Sequence, residues 1–414
     1  MKKNYLVLIF SILSICNIYA QIFTQKDDFP GGLRQSPIFF SIGDKIYVGG
    51  GLDTTIFKSD LWEYNTAIDI WTKKKDLPTT LTLTSSANLN GQIYLGLGWD
   101  SGKSLSSWWL YDSANDNWIK KADFPGKPRY GAACYSWNNE IYILGGGDYD
   151  TATMKWVSYN ETWKYNPAAD NWQQLDSFPY KTRVAGFTPF VVGNTLYYGF
   201  GQNDGLGEWY SDFYSYDLVN KIWTNLAEIP FTPSLPAGSA TFAGNYGNKI
   251  ILFNTDWNAK EPDDFDNMYV YDIFKNEWTI YNDVVPTKWR VFGFCGKNGN
   301  KGYTGLGLDY LSGEVFKDVW EVDLSTLITS IENQFPEFSK IQVVSSPNKI
   351  HVELPENLKS EYTISMQSID GKEIETLALN KETEIDLSLF QSGAYVWSIL
   401  LKGSIVKSGR FIKI

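Results

Sequence analysis

The sequence predicts an all-β fold made of six repeated units, followed by a small second β module. Two observations carry that expectation. Aromatic residues fill 16% of the 414 positions and 35 glycines are spread along the chain, as short strands and tight turns require. One short motif also recurs six times, which is the mark of a repeat architecture.

The N-terminus decides which residues belong to the working protein. Residues 1–20, MKKNYLVLIFSILSICNIYA, combine two lysines, an apolar run over 5–15 and Ala20 at a cleavage point, so they read as a signal peptide. The run is too short to anchor the chain, and no later stretch of about 18 apolar residues follows. A secreted, soluble protein is expected. Cys16 follows the bulky Ile15, where lipoprotein signals resemble one another in having a small residue, so no lipid anchor is expected. Without Lys2 and Lys3, 34 basic against 47 acidic side chains leave a formal charge of −13. That surface repels phosphate backbones and argues against nucleic acid as a partner. Only Cys134 and Cys295 remain beyond the signal, so a disulfide framework is excluded.

The repeats have three parts. KIYVGGG (45–51) returns as QIYLGLG (92–98), EIYILGG (140–146), TLYYGFG (195–201), KIILFNT (249–255) and KGYTGLG (301–307). After each comes an alternating aromatic segment: SDLWEYN (59–65), SSWWLYD (106–112), NETWKYN (160–166), SDFYSYD (211–217), DNMYVYD (266–272) and KDVWEVD (317–323). Alternation of large and polar residues is the pattern of a half-buried strand. A third segment opens on tryptophan and ends at proline, with Trp71, Trp118, Trp172, Trp223 and Trp278 in the first position. Its sixth copy lies at the start of the mature chain, FTQKDDFP (23–30), where Phe23 takes the tryptophan slot. The N-terminal strand is therefore expected to complete the last unit, which removes an open sheet edge. A glycine-rich strand end can also cradle a phosphate, but that site needs a helix N-terminus after the glycines. Here a strand follows, six times.

A glycine pair after a β run, then an aromatic pair, then tryptophan, resembles the kelch motif over about residues 22–326. The resemblance implies a six-bladed kelch-type β-propeller over 21–326. KIILFNT departs from it by lacking glycine.

Residues 327–340 read as a linker, and 341–414 as a small β-sandwich. There SPN (346–348), SIDGKEI (368–374), IDLSLFQSGAYVWSI (385–399) and the basic ending KSGRFIKI (407–414) resemble the C-terminal sorting domain of type IX secretion. The resemblance implies export by that machinery and release or attachment at the outer cell surface.

The chemistry is bounded by histidine. The single His351 lies in the C-terminal segment, so the repeats hold no histidine metal site and no Ser-His-Asp triad. No cofactor is implied. The acidic stretch EPDDFDN (261–267) reads as a solvated loop in preference to a calcium site. Arg34, Arg129, Arg183 and Arg290 stand 13 or 14 residues before the β-run tyrosines of units 1, 3, 4 and 6. Units 2 and 5 have Leu81 and Gly238 there. In a closed ring these arginines form two neighbouring pairs at the channel mouth. The loops after the glycines bring Asp53, Trp99, Asp148, Tyr149, Asp204, Trp257, Asp309 and Tyr310 to the same face. Arginine forks hold carboxylates and aromatic faces stack on sugars, so an acidic glycan or a carboxylate-bearing peptide is one expected ligand. The alternative is that nearby aspartates neutralise the arginines as internal ties. Three function classes stand. One is a glycan- or protein-binding module; another is a structural surface or adhesion component. The third is an acidic-sugar enzyme resembling kelch-type sialic-acid epimerases, with Arg183 holding substrate and Glu208 or Asp309 moving protons.

Overall fold

The structure, a computed structural model, describes residues 22–184, 189–229, 242–253, 268–281, 290–309, 312–334, 341–346, 348–355, 362–368, 373–401 and 404–413. Residues 1–20, read as a signal peptide, and Trp257, Tyr310 and the acidic stretch 261–267 lie outside them.

Each repeat folds as a four-stranded antiparallel meander. Unit 1 comprises Ile38–Ile42, Lys45–Gly49, Leu61–Asn65 and Ile70–Lys74, hydrogen-bonded in chain order. Units 2, 3, 4 and 5 start their first strands at Ser85, Ala133, Phe190 and Phe242 and repeat that order. Unit 6 takes three strands from Phe294–Asn298, Lys301–Gly305 and Val319–Asp323, and its fourth is the N-terminal strand Phe23–Lys26. Phe23 faces Val322 across that pair, in the place where the other units set tryptophan against tyrosine.

Those cross-strand pairs are the repeated core of each unit. Tyr64 faces Trp71, Tyr111 faces Trp118, Tyr165 faces Trp172, Tyr216 faces Trp223 and Tyr271 faces Trp278. Their ring centroids are 4.9, 4.8, 4.9, 4.5 and 5.0 Å apart, close enough for each pair to add to its area burial. Tryptophan also ties neighbouring units together. The indoles of Trp118, Trp172 and Trp278 donate to the carbonyls of Lys75, Ala122 and Ala227 in the unit before, at 3.3, 2.9 and 2.9 Å. Along the inner side, the first strands of units 1, 2, 3 and 4 lie one against the next, and that of unit 6 lies against those of units 1 and 5.

The glycine pair has a backbone reason. Gly50 and Gly51 take φ of 54° and 75°. A Cβ on Gly50 would stand 2.7 Å from the Leu81 carbonyl oxygen, and one on Gly51 2.6 Å from that of Gln35. Only glycine fits both the left-handed turn and the close approach.

Leu324–Gln334, which overlaps the start of the expected linker, is an α-helix, and 335–340 lie outside the described residues. Asp323 caps it, accepting the Thr326 amide at 2.9 Å. Leu324, Leu327 and Ile328, spaced for one helix face, are buried. The C-terminal segment forms a three-stranded sheet and a four-stranded array. The array continues into unit 5, because its last strand, Ser404–Lys413, pairs with Glu277–Tyr281 through Thr279 with Lys407 and Trp278 with Ser408. One apolar core runs through Met268 and Val270 of unit 5, Phe23 and Val322 of unit 6, the helix, and Ile350, Ile364 and Trp397 of the C-terminal segment.

Candidate functional site

Arg34, Arg129, Arg183 and Arg290 lie on the segments that lead into the first strands, and each is buried to 1% exposure or less. Arg34 forks onto both oxygens of Asp60, at 2.7 and 3.0 Å, and donates to the carbonyls of Gly50 and Gly31. Arg183 does the same with Asp212, at 2.6 and 2.8 Å, and the Phe200 carbonyl. Arg290 holds Asp318 at 2.5 and 2.8 Å and the Leu306 carbonyl. Arg129 reaches Glu161 at 2.5 Å and the Gly145 carbonyl, with its guanidinium between the rings of Phe124 and Tyr159. Of the two readings of these arginines, the internal tie is the one the geometry carries. Their partners come from the start of the third strand, in SDLWEYN and its copies, and not from the glycine-following loops.

Burial pushes the carboxyls of Glu161 and Asp318 up, and hydrogen bonds from Arg129 and Arg290 outweigh it, so both titrate below their ordinary values. Unit 2 has lost both halves of the tie. Leu81 replaces the arginine, Ser107 replaces the carboxylate, and the Trp109 indole has no hydrogen-bond partner. In units 1, 3 and 6 the matching indoles of Trp62, Trp163 and Trp320 donate to that carboxylate.

The loop residues divide. Asp53 does not meet Arg34; its carboxylate binds Lys58 at 2.7 Å and accepts the amides of Thr55 and Ile56, which hold it well below the usual range, the Lys58 bond most of all. Glu208 is exposed and accepts the Tyr210 hydroxyl at 3.1 Å. Asp309 accepts the amide and hydroxyl of Ser312. Asp148 accepts the Tyr149 amide at 2.8 Å. Arg183 binds Asp212, Glu208 binds Tyr210 and Asp309 binds Ser312.

Trp99 and Asp204 do come together, in a cavity of about 490 Å³ shared with Leu83, Tyr130, Trp156, Gln202 and Phe292. Trp99, Tyr130 and Trp156 form a triangle, with centroids 5.6, 5.8 and 5.7 Å apart. Tyr149 closes its outer side, 5.0 Å from Trp156. The Asp204 carboxylate accepts the Tyr130 hydroxyl and the Gln202 amide. Burial raises its titration, against the pull of those two bonds.

A repeated backbone device builds this wall. In units 1, 2, 3, 4 and 6 the residue after the arginine slot bridges to the loop after the glycines: Gln35 to Leu52, Thr82 to Trp99, Tyr130 to Gly147, Val184 to Gln202 and Val291 to Leu308. The next residue turns left-handed at Ser36, Leu83, Gly131 and Phe292, with φ between 47° and 56°. Leu83 and Phe292 hold that conformation without glycine and stay 37% and 40% exposed. Bulky residues there carry strain, which gathers where function needs it. The signal that finds them is their position two residues beyond the arginine slot. Trp156 comes from the hairpin Gly147–Asp150 with Lys155–Ser158, a longer copy of those in units 2 and 4, announced by the longer interval between glycines and aromatic pair in unit 3.

Residues 41–254 match the family described as the KLHDC2/KLHL20/DRC7 Kelch-repeats domain. The chain belongs to the kelch-repeat family. It is also similar to alpha-scruin of Limulus polyphemus, 31% identical over 157 residues, covering 37% of this chain and 16% of that protein. The match therefore spans under a fifth of that relative's length. As a kelch protein the chain is an all-β propeller.

Proposed function

We propose that this kelch protein is an exported binding module. Its six units close into a six-bladed ring through the N-terminal strand, and its loop face receives a protein partner at the aromatic cavity. The cavity carries the reading: about 490 Å³, lined by residues from units 2, 3, 4 and 6, with Trp156 43% exposed and the half-buried Asp204 carboxylate in the same wall. Concave, mostly apolar spaces with a few placed polar atoms are where ligands bind. Kelch propellers in general engage protein partners, which favours a protein over a glycan. The pairing of Phe23–Lys26 with Val319–Asp323 supports closure.

The enzyme reading loses its carrier, because Asp212 holds the Arg183 guanidinium through both carboxylate oxygens. Export through the type IX route, with release or attachment at the outer surface, rests on the signal peptide and the sorting-domain resemblance of 341–414. Among the described residues no helix is long and apolar enough to cross a membrane.

Selection of binders from a random peptide display library against the full chain tests the module reading. Selected peptides are expected to raise the melting temperature of the chain and to lose most of their affinity for Trp156→Ala. Peptides that bind the variant as well as the native chain place the site elsewhere.

A further inference from the structure

The geometry points to a basic side chain of the partner protein as the occupant of the aromatic cavity, with the arginine guanidinium preferred over the lysine ammonium. This rests on the binding-module reading above. Charge complementarity chooses the occupant. Among the described residues that line the space, Asp204 is the one charged group and none is basic. The donors on its carboxylate, the Tyr130 hydroxyl and the Gln202 amide, are neutral. They orient the carboxylate without cancelling its charge, and each oxygen keeps a further lone pair for an incoming donor. Asp148 adds a second negative charge, close enough to Tyr130 to push its phenol up together with burial and Asp204. The formal charge of −11 over the whole chain draws cations and repels acids.

The apolar walls suit the rest of such a side chain. A cation is attracted to the face of an aromatic ring. The Trp99 and Tyr130 planes stand at 84° and the Tyr130 and Trp156 planes at 86°, so the triangle offers faces in more than one direction. Leu83 and Phe292, turned by their left-handed backbones, give apolar surface for the methylene stem. Guanidinium stacks on rings and is less strongly hydrated than ammonium, which sets the preference. The arginines of the repeats, Arg34, Arg129, Arg183 and Arg290, take no part, since each is already held by a carboxylate. An acidic peptide or acidic glycan entering the cavity would meet the Asp204 carboxylate, with no basic side chain among the described lining residues.

Immobilised random heptapeptides with a fixed central arginine, lysine, citrulline or glutamate, probed with the full chain, test this. The arginine set is expected to bind about tenfold more tightly than the citrulline set, which has the same shape and no charge. Asp204→Asn, checked for an unchanged melting temperature, should erase that difference, while Trp156→Ala should weaken every set. Equal binding of arginine and citrulline, or preference for glutamate, overturns the basic occupant and leaves the module reading standing. If neutral sugars bind with Trp156 dependence and peptides do not, the protein partner itself is wrong. Absence of any Trp156-dependent binding overturns both readings.

Discussion

The Arg34 guanidinium and the Asp60 carboxylate meet through two parallel hydrogen bonds of 2.7 and 3.0 Å, with Arg34 only 1% exposed. Removing one partner of a buried pair strands the other charge away from water. Arg34→Met is therefore expected to lower unfolding free energy by about 3 kcal/mol, and the double change Arg34→Met with Asp60→Leu by clearly less. Urea denaturation of the three proteins checks this. Equal losses in the single and double variants would show that packing of the arginine stem, and not the charge, matters at this position.

Unit 2 offers the reciprocal test. Ser107→Asp alone places a carboxylate beside Leu81 with no cation to meet it. It is expected to destabilise the chain, whereas Leu81→Arg with Ser107→Asp should recover a coupling of about 1.5 kcal/mol or more. The new carboxylate also supplies an acceptor for the Trp109 indole, which has none. A double-mutant cycle by denaturation measures the coupling, and a value near zero would contradict the repeated tie.

Acid should loosen the ties in a defined direction. Glu161 and Asp318 titrate below their ordinary values, so their stabilisation is complete above the unfolded values of about 4. It is lost as pH falls through the lower folded values. Asp318→Asn should be less stable than the native chain at pH 7, and the gap should narrow toward pH 2. A gap independent of pH would mean that the carboxylate charge contributes nothing.

The C-terminal segment is expected to behave as part of unit 5. Lys407 is 3% exposed, and its ammonium bonds Glu277 at 2.9 Å and the Ile341 carbonyl at 2.7 Å. Glu277→Ala leaves a buried cation and should cost about 3 kcal/mol. Ending the chain before the segment uncovers the Glu277–Tyr281 edge and the shared apolar core, so that fragment should self-associate in size-exclusion chromatography. A monodisperse fragment of native stability would show that the segment is only an attachment.

Much of this was legible in the sequence, and what was not has physical reasons. The Tyr64 and Trp71 pairing and its copies follow from alternation, because the strand period of two sets large residues opposite one another. The arginine positions were equally plain, but their partners were sought in the glycine-following loops. Strand register instead brings Asp60, 26 residues after Arg34, beside it. Residues 327–340 read as linker because the repeat period stops before them, yet Leu324–Gln334 is helical. The Asp323 cap and the burial of Leu327 and Ile328 hold that helix. Trp99 and Asp204 were found from their loops. Leu83 and Phe292 were missed, since nothing in their identity announces a left-handed backbone.

The most direct test follows indole N–H signals by NMR while an arginine-centred peptide is added to the full chain. Trp99 and Trp156 are assigned through Trp99→Phe and Trp156→Phe, and Trp62 and Trp320, whose indoles donate to Asp60 and Asp318, serve as reporters of the arginine ties. The signals of Trp99 and Trp156 are expected to move with saturation while those of Trp62 and Trp320 stay fixed. Movement of Trp62 and Trp320 with Trp99 and Trp156 unchanged would place the ligand on the arginines and contradict the account.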